Sequence, residues 1–396
     1  MTHDRLRLEE LLTEAENAAP VDSIDVIAAD LRRRFGATAV SFMFLDLVGQ
    51  QMVRMIRGDG GRQSERIHLP GSVYDQALRT QELTLAPDDL LGQRVLAPVT
   101  NRGDAIGLLE LTLPRFDEEV LEQISQAAHA LAYIVVTDRR FTDLYLWGQR
   151  TTPVSLAAEI QNQLLPSSSS CEAAQFVLAG ALVPADTIGG DTYDYTLDKH
   201  TLHLSVTDAM GHDVDSALLA TLLVNASRGA RRASRSLAEQ AGATHQALLD
   251  HGRQSLATGQ LLRVSLDGTG ARLVNAGHPW PLRLRDGKVR EVPLRIDPPF
   301  GFPFPVDFQV QDLDLRAGDR LVFYTDGMRE RQAASLDLPG LIQDTADQHP
   351  RELVRTLTGA VIDSCHGHLQ DDASVLCLDW HGPSRQGRRT HAGADT

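Results

Sequence analysis

The sequence predicts an α+β protein of two domains joined by a helical linker. Three observations carry that reading. The chain has 396 residues, 42% of them hydrophobic, too long for one ordinary domain and comfortable for two. Hairpin-linked strand patterns surround helical ones, which points to antiparallel sheets covered by helices and away from a dinucleotide-binding βαβ order. A long helical stretch separates the two halves.

The elements follow in order. Residues 6–35 read as helical, in two segments broken near Pro20. Strand patterns come next in VSFMFLDL (40–47) and QMVRMI (51–56), with Gly49 in the turn. A helix is predicted around Val73–Thr80, and residues 95–113 read as a hairpin turning at Arg102-Gly103-Asp104. From Asp117 to about Trp147 the pattern is one long helix. Val120, Ile124, Ala127, Leu131, Ile134, Phe141 and Tyr145 form a coiled-coil-like seam, interrupted at Asp138. That seam suits either packing on its own domain or a parallel homodimer. A helix over 152–166 starts at Thr152-Pro153 and stops at Pro166, and Ser167–Ser170 reads as a flexible break.

The second half reads as strands at 175–183 and 201–208, helices at 214–234 and 237–250, and strands at 260–266, 271–277, 281–285, 288–294, 308–315, 320–326 and 373–380. A helix is expected at about 350–366. The boundaries are 1–137 for a sensor-like domain, 138–170 for a helical signalling linker, 171–381 for the main domain and 382–396 for a disordered tail.

Composition excludes some classes. A formal charge of −15 with no basic domain argues against a nucleic-acid partner. Cys171, Cys365 and Cys377 make no CxxC pair, and Cys377 in the apolar run SVLCL reads as core. The N-terminus lacks a signal-peptide core, and the apolar run near Ala127–Val136 is about half the ~20 residues of a membrane span. A cytoplasmic protein with no membrane contact is expected.

Four acidic loops carry the chemistry: IGGDTYD (188–194), TDAMGHD (207–213), FYTDG (323–327) and QDDAS (370–374). Each abuts a hydrophobic strand, so folding can gather Asp191, Asp208, Asp326 and Asp371 at one sheet edge. Each alone is ordinary turn chemistry. Together they call for hard divalent cations to neutralise them, and the carbonyl of Ala209 adds an oxygen donor. Asp194 could join the cluster or face solvent, while Asp215 and Asp286 read as surface residues. His212 and His278 read better as loop anchors than as acids. The run Arg228, Arg231, Arg232 and Arg235 reads best as a solvated helix end.

The pieces AEIQNQLLP, IGGDTYD, TDAMGHD, ATGQLLRVSL, NAGHPWP, LRAGDRLVFYTDG and QDDASVLCL, in this order from about Val154 to Trp380, resemble the SpoIIE-type branch of the metal-dependent (PPM) protein serine/threonine phosphatases. The resemblance implies an αββα sandwich holding two Mn²⁺ or Mg²⁺ ions. Asp191 would bind the first ion, Asp208 would bridge both with help from the Ala209 carbonyl, and Asp326 and Asp371 would hold the second. Activated water would attack phosphorus in line. It also implies a phosphorylated protein substrate, with an anti-sigma-factor antagonist as the expected one. Asp213 departs from the family, which usually has glycine there; Glu330 is retained. VSFMFLDL and APVTNRGDAIGLLEL resemble a GAF sensor domain; its ligand is unknown, and the absence of cysteine in that half excludes a thioether-linked bilin. The alternatives are a phosphatase-like scaffold without turnover and a phosphohydrolase of a small metabolite.

Overall fold

The structure, a computed structural model, describes residues 6–58, 61–89, 92–149, 155–185, 189–211, 213–251, 255–329 and 331–383. The expectations for the 382–396 tail beyond residue 383, for His212, for Glu330 and for a helix start at Thr152-Pro153 therefore lie outside the described residues. The chain divides into two compact units, residues 1–153 and 154–388, and the division falls within the segment 138–170 read as a linker.

The first unit runs α1 (Leu8–Asn17), α2 (Ser23–Phe35), β1 (Ala39–Leu45), β2 (Gln51–Gly58), β3 (Gly61–His68), α3 (Val73–Thr80), β4 (Thr84–Asp89), β5 (Gly92–Asn101), β6 (Asp104–Leu113), α4 (Glu118–Asp138) and α5 (Leu144–Gln149). Its strands form one antiparallel sheet, ordered β3-β2-β1-β6-β5-β4. Period-two alternation in β1 sorts the two faces. Phe42 and Phe44 join the core built with α1, α2 and α4, whereas Met43 joins Tyr74, Ala77 and Leu78 of α3 on the other face. This arrangement is compatible with a GAF-like domain.

One expectation fails here. The predicted single helix over 117–147 breaks after Asp138, and α5 is a separate short helix. Val120, Ile124, Ala127, Leu131 and Ile134 are buried in this unit's own core, which is the own-domain packing that the seam allowed. Phe141, by contrast, is exposed. Asp117 caps α4, its side chain accepting from the Val120 amide at 2.9 Å, which explains why the helix starts where it does.

The second unit runs α6 (Leu156–Leu164), β7 (Ser170–Glu172), β8 (Phe176–Val183), β9 (Asp191–Leu197), β10 (Thr201–Ala209), α7 (Asp213–Arg232), α8 (Leu237–His251), β11 (Ala257–Ser265), β12 (Ala271–Ala276), β13 (Leu282–Arg285), β14 (Lys288–Glu291), β15 (Gln311–Leu313), β16 (Asp319–Tyr324), a 3-10 turn (Asp326–Met328), α9 (Leu338–Asp344), α10 (Pro350–Ser364) and β17 (Ala373–Trp380). Two antiparallel sheets form, ordered β15-β12-β11-β10-β9 and β14-β13-β16-β17-β8-β7. Phe176, Leu178, Leu204, Val206, Leu262, Leu273, Leu321, Phe323, Leu376 and Leu378 fill the space between them. Leu219 and Leu223 of α7 and Ala241 and Leu248 of α8 cover the five-stranded sheet. Helix α10 covers β8 and β17 and buries Leu353, Leu357 and Val361. The result is a helix–sheet–sheet–helix sandwich.

The expected flexible break at Ser167–Ser170 is replaced at its end by β7: Ser170 is buried, and its hydroxyl donates to the Leu178 carbonyl at 2.8 Å. Cys377 is fully buried, as its apolar run predicts. Among the described residues, no helix is long and apolar enough to cross a membrane.

Candidate metal centre

The antiparallel register places Asp191, the first residue of β9, directly opposite Asp208 near the end of β10. Like charges in facing positions destabilise a sheet, so this pair is an expense the fold tolerates for some other reason. Gly190 makes the approach possible: a Cβ there would lie 2.1 Å from the Ala209 carbonyl oxygen. The Ala209 amide in turn donates to the Gly190 carbonyl at 3.1 Å.

The second sheet brings its acids to the same end. Strand β16 ends at Tyr324, and Thr325 reaches across to donate its hydroxyl to the Asp191 carboxylate at 2.5 Å. The Ser374 amide in β17 donates to that same Thr325 hydroxyl at 2.9 Å, and the Thr325 amide donates to the Ser374 carbonyl at 3.1 Å. Asp326 then opens the 3-10 turn, half-buried. Gly327 packs so tightly that a Cβ would lie 1.9 Å from the Asp372 carbonyl oxygen. Asp371 is half-buried immediately before β17 and accepts from the Asp372 amide at 3.0 Å. The chain segments bearing Asp191, Asp208, Asp326 and Asp371 therefore meet at one end of the sandwich. Among the described residues, no three His, Cys, Asp or Glu side chains form a ready-made cage for an ion.

Asp372 was not singled out by the sequence, and the structure makes it the hub. It is buried, and its carboxylate accepts from the Ala185 amide at 2.7 Å, the Gly190 amide at 3.0 Å and the Gln161 side-chain amide at 2.5 Å. Gln161, fully buried on α6, also donates to the Asp191 backbone carbonyl at 3.0 Å. The available signal was a glutamine on the apolar face of AEIQNQLLP, flanked by the buried Ala157, Ala158 and Leu164.

The electrostatics of this end of the sandwich disfavour carboxylate anions. Burial pushes the Asp191 carboxyl well above the usual carboxylate range, and the nearby Asp208 and Asp372 push it further, against the opposing hydrogen bond from Thr325. Burial likewise raises Asp372 to about 6, opposed by its amide donors. Asp191 makes no ion pair with any described residue. An all-oxygen donor set of carboxylates and a carbonyl fits hard divalent cations.

Other expected residues fall elsewhere. Asp194 neither joins the centre nor faces solvent: it is buried and paired with Arg228, at 2.9 and 3.1 Å, and with Arg231 at 3.0 Å. Those arginines are consequently not a solvated helix end. Arg228 also donates to the Leu164 carbonyl at 2.6 Å, tying α7 to the end of α6. His278 is the loop anchor its motif suggests. It is buried, its Nδ1 lies 2.8 Å from the Thr258 hydroxyl, and its backbone and that of its loop are held by Asn275 at 2.8 and 2.9 Å. Burial drives its ring down to about 4, so it is neutral at physiological pH. Asp215 and Asp286 are exposed.

Comparison with known proteins finds relatives for the second unit. Residues 198–381 match the family model "Stage II sporulation protein E (SpoIIE)". Phosphoserine phosphatase RsbP of Bacillus subtilis is 25% identical over 205 residues, covering 48% of this chain and 49% of that protein. Phosphoserine phosphatase RsbU of the same organism is 22% identical over 241 residues, covering 57% and 69%. A solved structure of the RsbU and RsbW domains of Rv1364c from Mycobacterium tuberculosis aligns with a TM-score of 0.48 at 25% identity, covering 55% of this chain and 63% of that one. The match spans about half the length of RsbP. The stretch that matches the SpoIIE family model lies wholly within the second unit.

Proposed function

We propose that the protein is a metal-dependent serine/threonine phosphoprotein phosphatase of bacterial signalling. In this reading residues 1–137 are a GAF-like sensor domain, 138–170 a signalling linker and 171–381 the catalytic domain. The observation that carries it is the facing pair Asp191–Asp208, held in place although burial and then the Asp208 carboxylate raise the cost of ionising Asp191.

Asp191, Asp208, Asp326 and Asp371, with the Ala209 carbonyl, are the residues that would hold two Mn²⁺ or Mg²⁺ ions. When bound, such ions supply charge neutralisation for phosphoryl oxygens and acidify water. The chain supplies the positioning. Thr325 fixes one Asp191 oxygen, the Ser374 amide fixes Thr325, and Asp372 fixes the loop that carries Asp191. Because Gln161 lies on α6 and touches both Asp372 and the Asp191 carbonyl, displacement of α6 would loosen the centre, which gives an upstream domain a handle on activity. The relatives RsbP and RsbU are phosphoserine phosphatases by name, and sequence resemblance favours a phosphorylated anti-sigma-factor antagonist as the substrate, in the cytoplasm.

The test is phosphate release from a phosphoserine protein with Mn²⁺. Wild-type protein should release it and Asp208→Asn should not; equal release by both would overturn the reading.

A further inference from the structure

The hairpin β13–β14 stands at the edge of the six-stranded sheet. Its register places Arg283 opposite Arg290 and Arg285 opposite Lys288. Leu282 and Leu284 are buried, so alternation puts all four cations on one face. Facing like charges weaken a hairpin, and here there are two such pairs in succession on a chain whose formal charge is −15.

The two arginines of β13 are held rigidly. Arg283 donates to the Asp314 carbonyl at 2.9 Å, and Arg285 pairs with Asp314 at 2.7 Å and Asp319 at 2.6 Å. Hydrogen bonds from Arg285 and then Arg316 hold the Asp314 carboxyl down to about 2. Lys288 and Arg290 are exposed and have no anionic partner among the described residues. Together with Asp286, these four cations line an open cavity of about 240 Å³. Among the described residues no further strand pairs with β14 on its outer side, although helix α9 contacts it, so a strand edge is open to an extended chain.

We propose that this cavity docks an acidic segment of the phosphoprotein substrate. The proposal deepens the phosphatase reading and rests on it. Strand β13 pairs with β16 between Arg320 and Val322, whereas Asp326 follows the far end of β16. Extending that register sets Asp286 in the hairpin turn beside Gly318, eight positions before Asp326, so the turn is about 26 Å from the acidic end at roughly 3.3 Å per residue. The docked segment lies about eight residues from the phosphoserine at roughly 3.3 Å per residue, in a different part of the partner from the bond that is cleaved.

The test uses three probes with the full chain in Mn²⁺: p-nitrophenyl phosphate, a phosphoserine peptide with glycine-serine spacers leading to a run of glutamates on each side, and the same peptide with glutamines replacing the glutamates. The variant is Lys288→Glu/Arg290→Glu, on exposed side chains remote from the acidic centre. The expected result is a KM for the glutamate peptide about tenfold higher in the variant, with kcat, p-nitrophenyl phosphate turnover and the glutamine peptide unchanged. An unchanged KM for the glutamate peptide in an active variant overturns the proposal. Failure of the phosphatase reading looks different, because wild-type protein would then turn over none of the three. In that event fluorescence anisotropy of a labelled glutamate peptide still decides the docking. Binding that the variant loses and high salt weakens supports the proposal; no binding, or binding of a labelled oligonucleotide instead, overturns it.

Discussion

Gln161 is the side chain through which helix α6 reaches the acidic centre, and replacing it by leucine tests that connection. The glutamine is fully buried and donates at 2.5 Å to the Asp372 carboxylate and at 3.0 Å to the Asp191 carbonyl. Leucine has nearly the same volume, so cavity formation is a minor part of the effect. A hydrogen bond to a charged group contributes about 1.5–3 kcal/mol and one to a neutral carbonyl about 1 kcal/mol. Asp372 keeps its donors from Ala185 and Gly190, which limits the loss to about 3 kcal/mol. In a unit of this size each kcal/mol lowers Tm by about 2–4 °C, so Gln161→Leu should melt about 6–12 °C below wild type in a thermal scan. Loosening Asp191 should also cut kcat for phosphate release by about tenfold or more, because small misplacements at a reacting centre are costly. Gln161→Glu should be worse on both measures, since it adds a carboxylate to an already repulsive cluster. A Gln161→Leu protein that melts within about 1 °C of wild type and keeps full activity would refute the reasoning.

Asp194→Asn should leave Arg228 and Arg231 without their shared buried partner and cost about 3 kcal/mol, read as a drop in the denaturant midpoint at constant slope. Gly327→Ala should push the Asp326 turn off the Asp372 backbone, where a Cβ would sit 1.9 Å from the carbonyl oxygen, and calorimetry should show Mn²⁺ affinity reduced about tenfold or more. His278 is lowered to about 4 by burial, so the folded state holds fewer protons than the unfolded one between its ordinary value and about 4. Stability from this residue is therefore full above about pH 6.5 and falls as pH drops towards 4, by about 3 kcal/mol in all. His278→Gln should flatten the stability profile over that window relative to wild type; parallel profiles would contradict the assignment. Mn²⁺ should raise Tm in wild type and not in Asp208→Asn.

The sandwich was legible where hydrophobic alternation was strong, as in LHLSV of β10 and SVLCL of β17, and where caps and glycines punctuated helices. Strand β9 escaped because DTYDYTL is polar in composition. It is a strand because its polar groups are satisfied across the sheet, as where the Thr192 and Thr207 hydroxyls meet at 2.6 Å in a buried position. The seam in α4 left its packing partner open for a related reason. Spacing of Val120, Ile124 and Leu131 fixes which face is apolar, but a sheet and a second helix bury such a face equally well. At the centre, Asp191, Asp208, Asp326 and Asp371 could be picked out because each ends or starts an apolar strand. Asp372, Thr325, Ser374 and Gln161 could not, because their roles depend on contacts between segments separated by up to 211 positions.

Diffraction from crystals grown with Mn²⁺, recorded at the manganese absorption edge, tests the central claim most directly. The account predicts two anomalous peaks at the shared end of the two sheets, bounded by the carboxylates of Asp191, Asp208, Asp326 and Asp371. Full-occupancy manganese elsewhere on the chain, with that end of the sandwich bare, would contradict it.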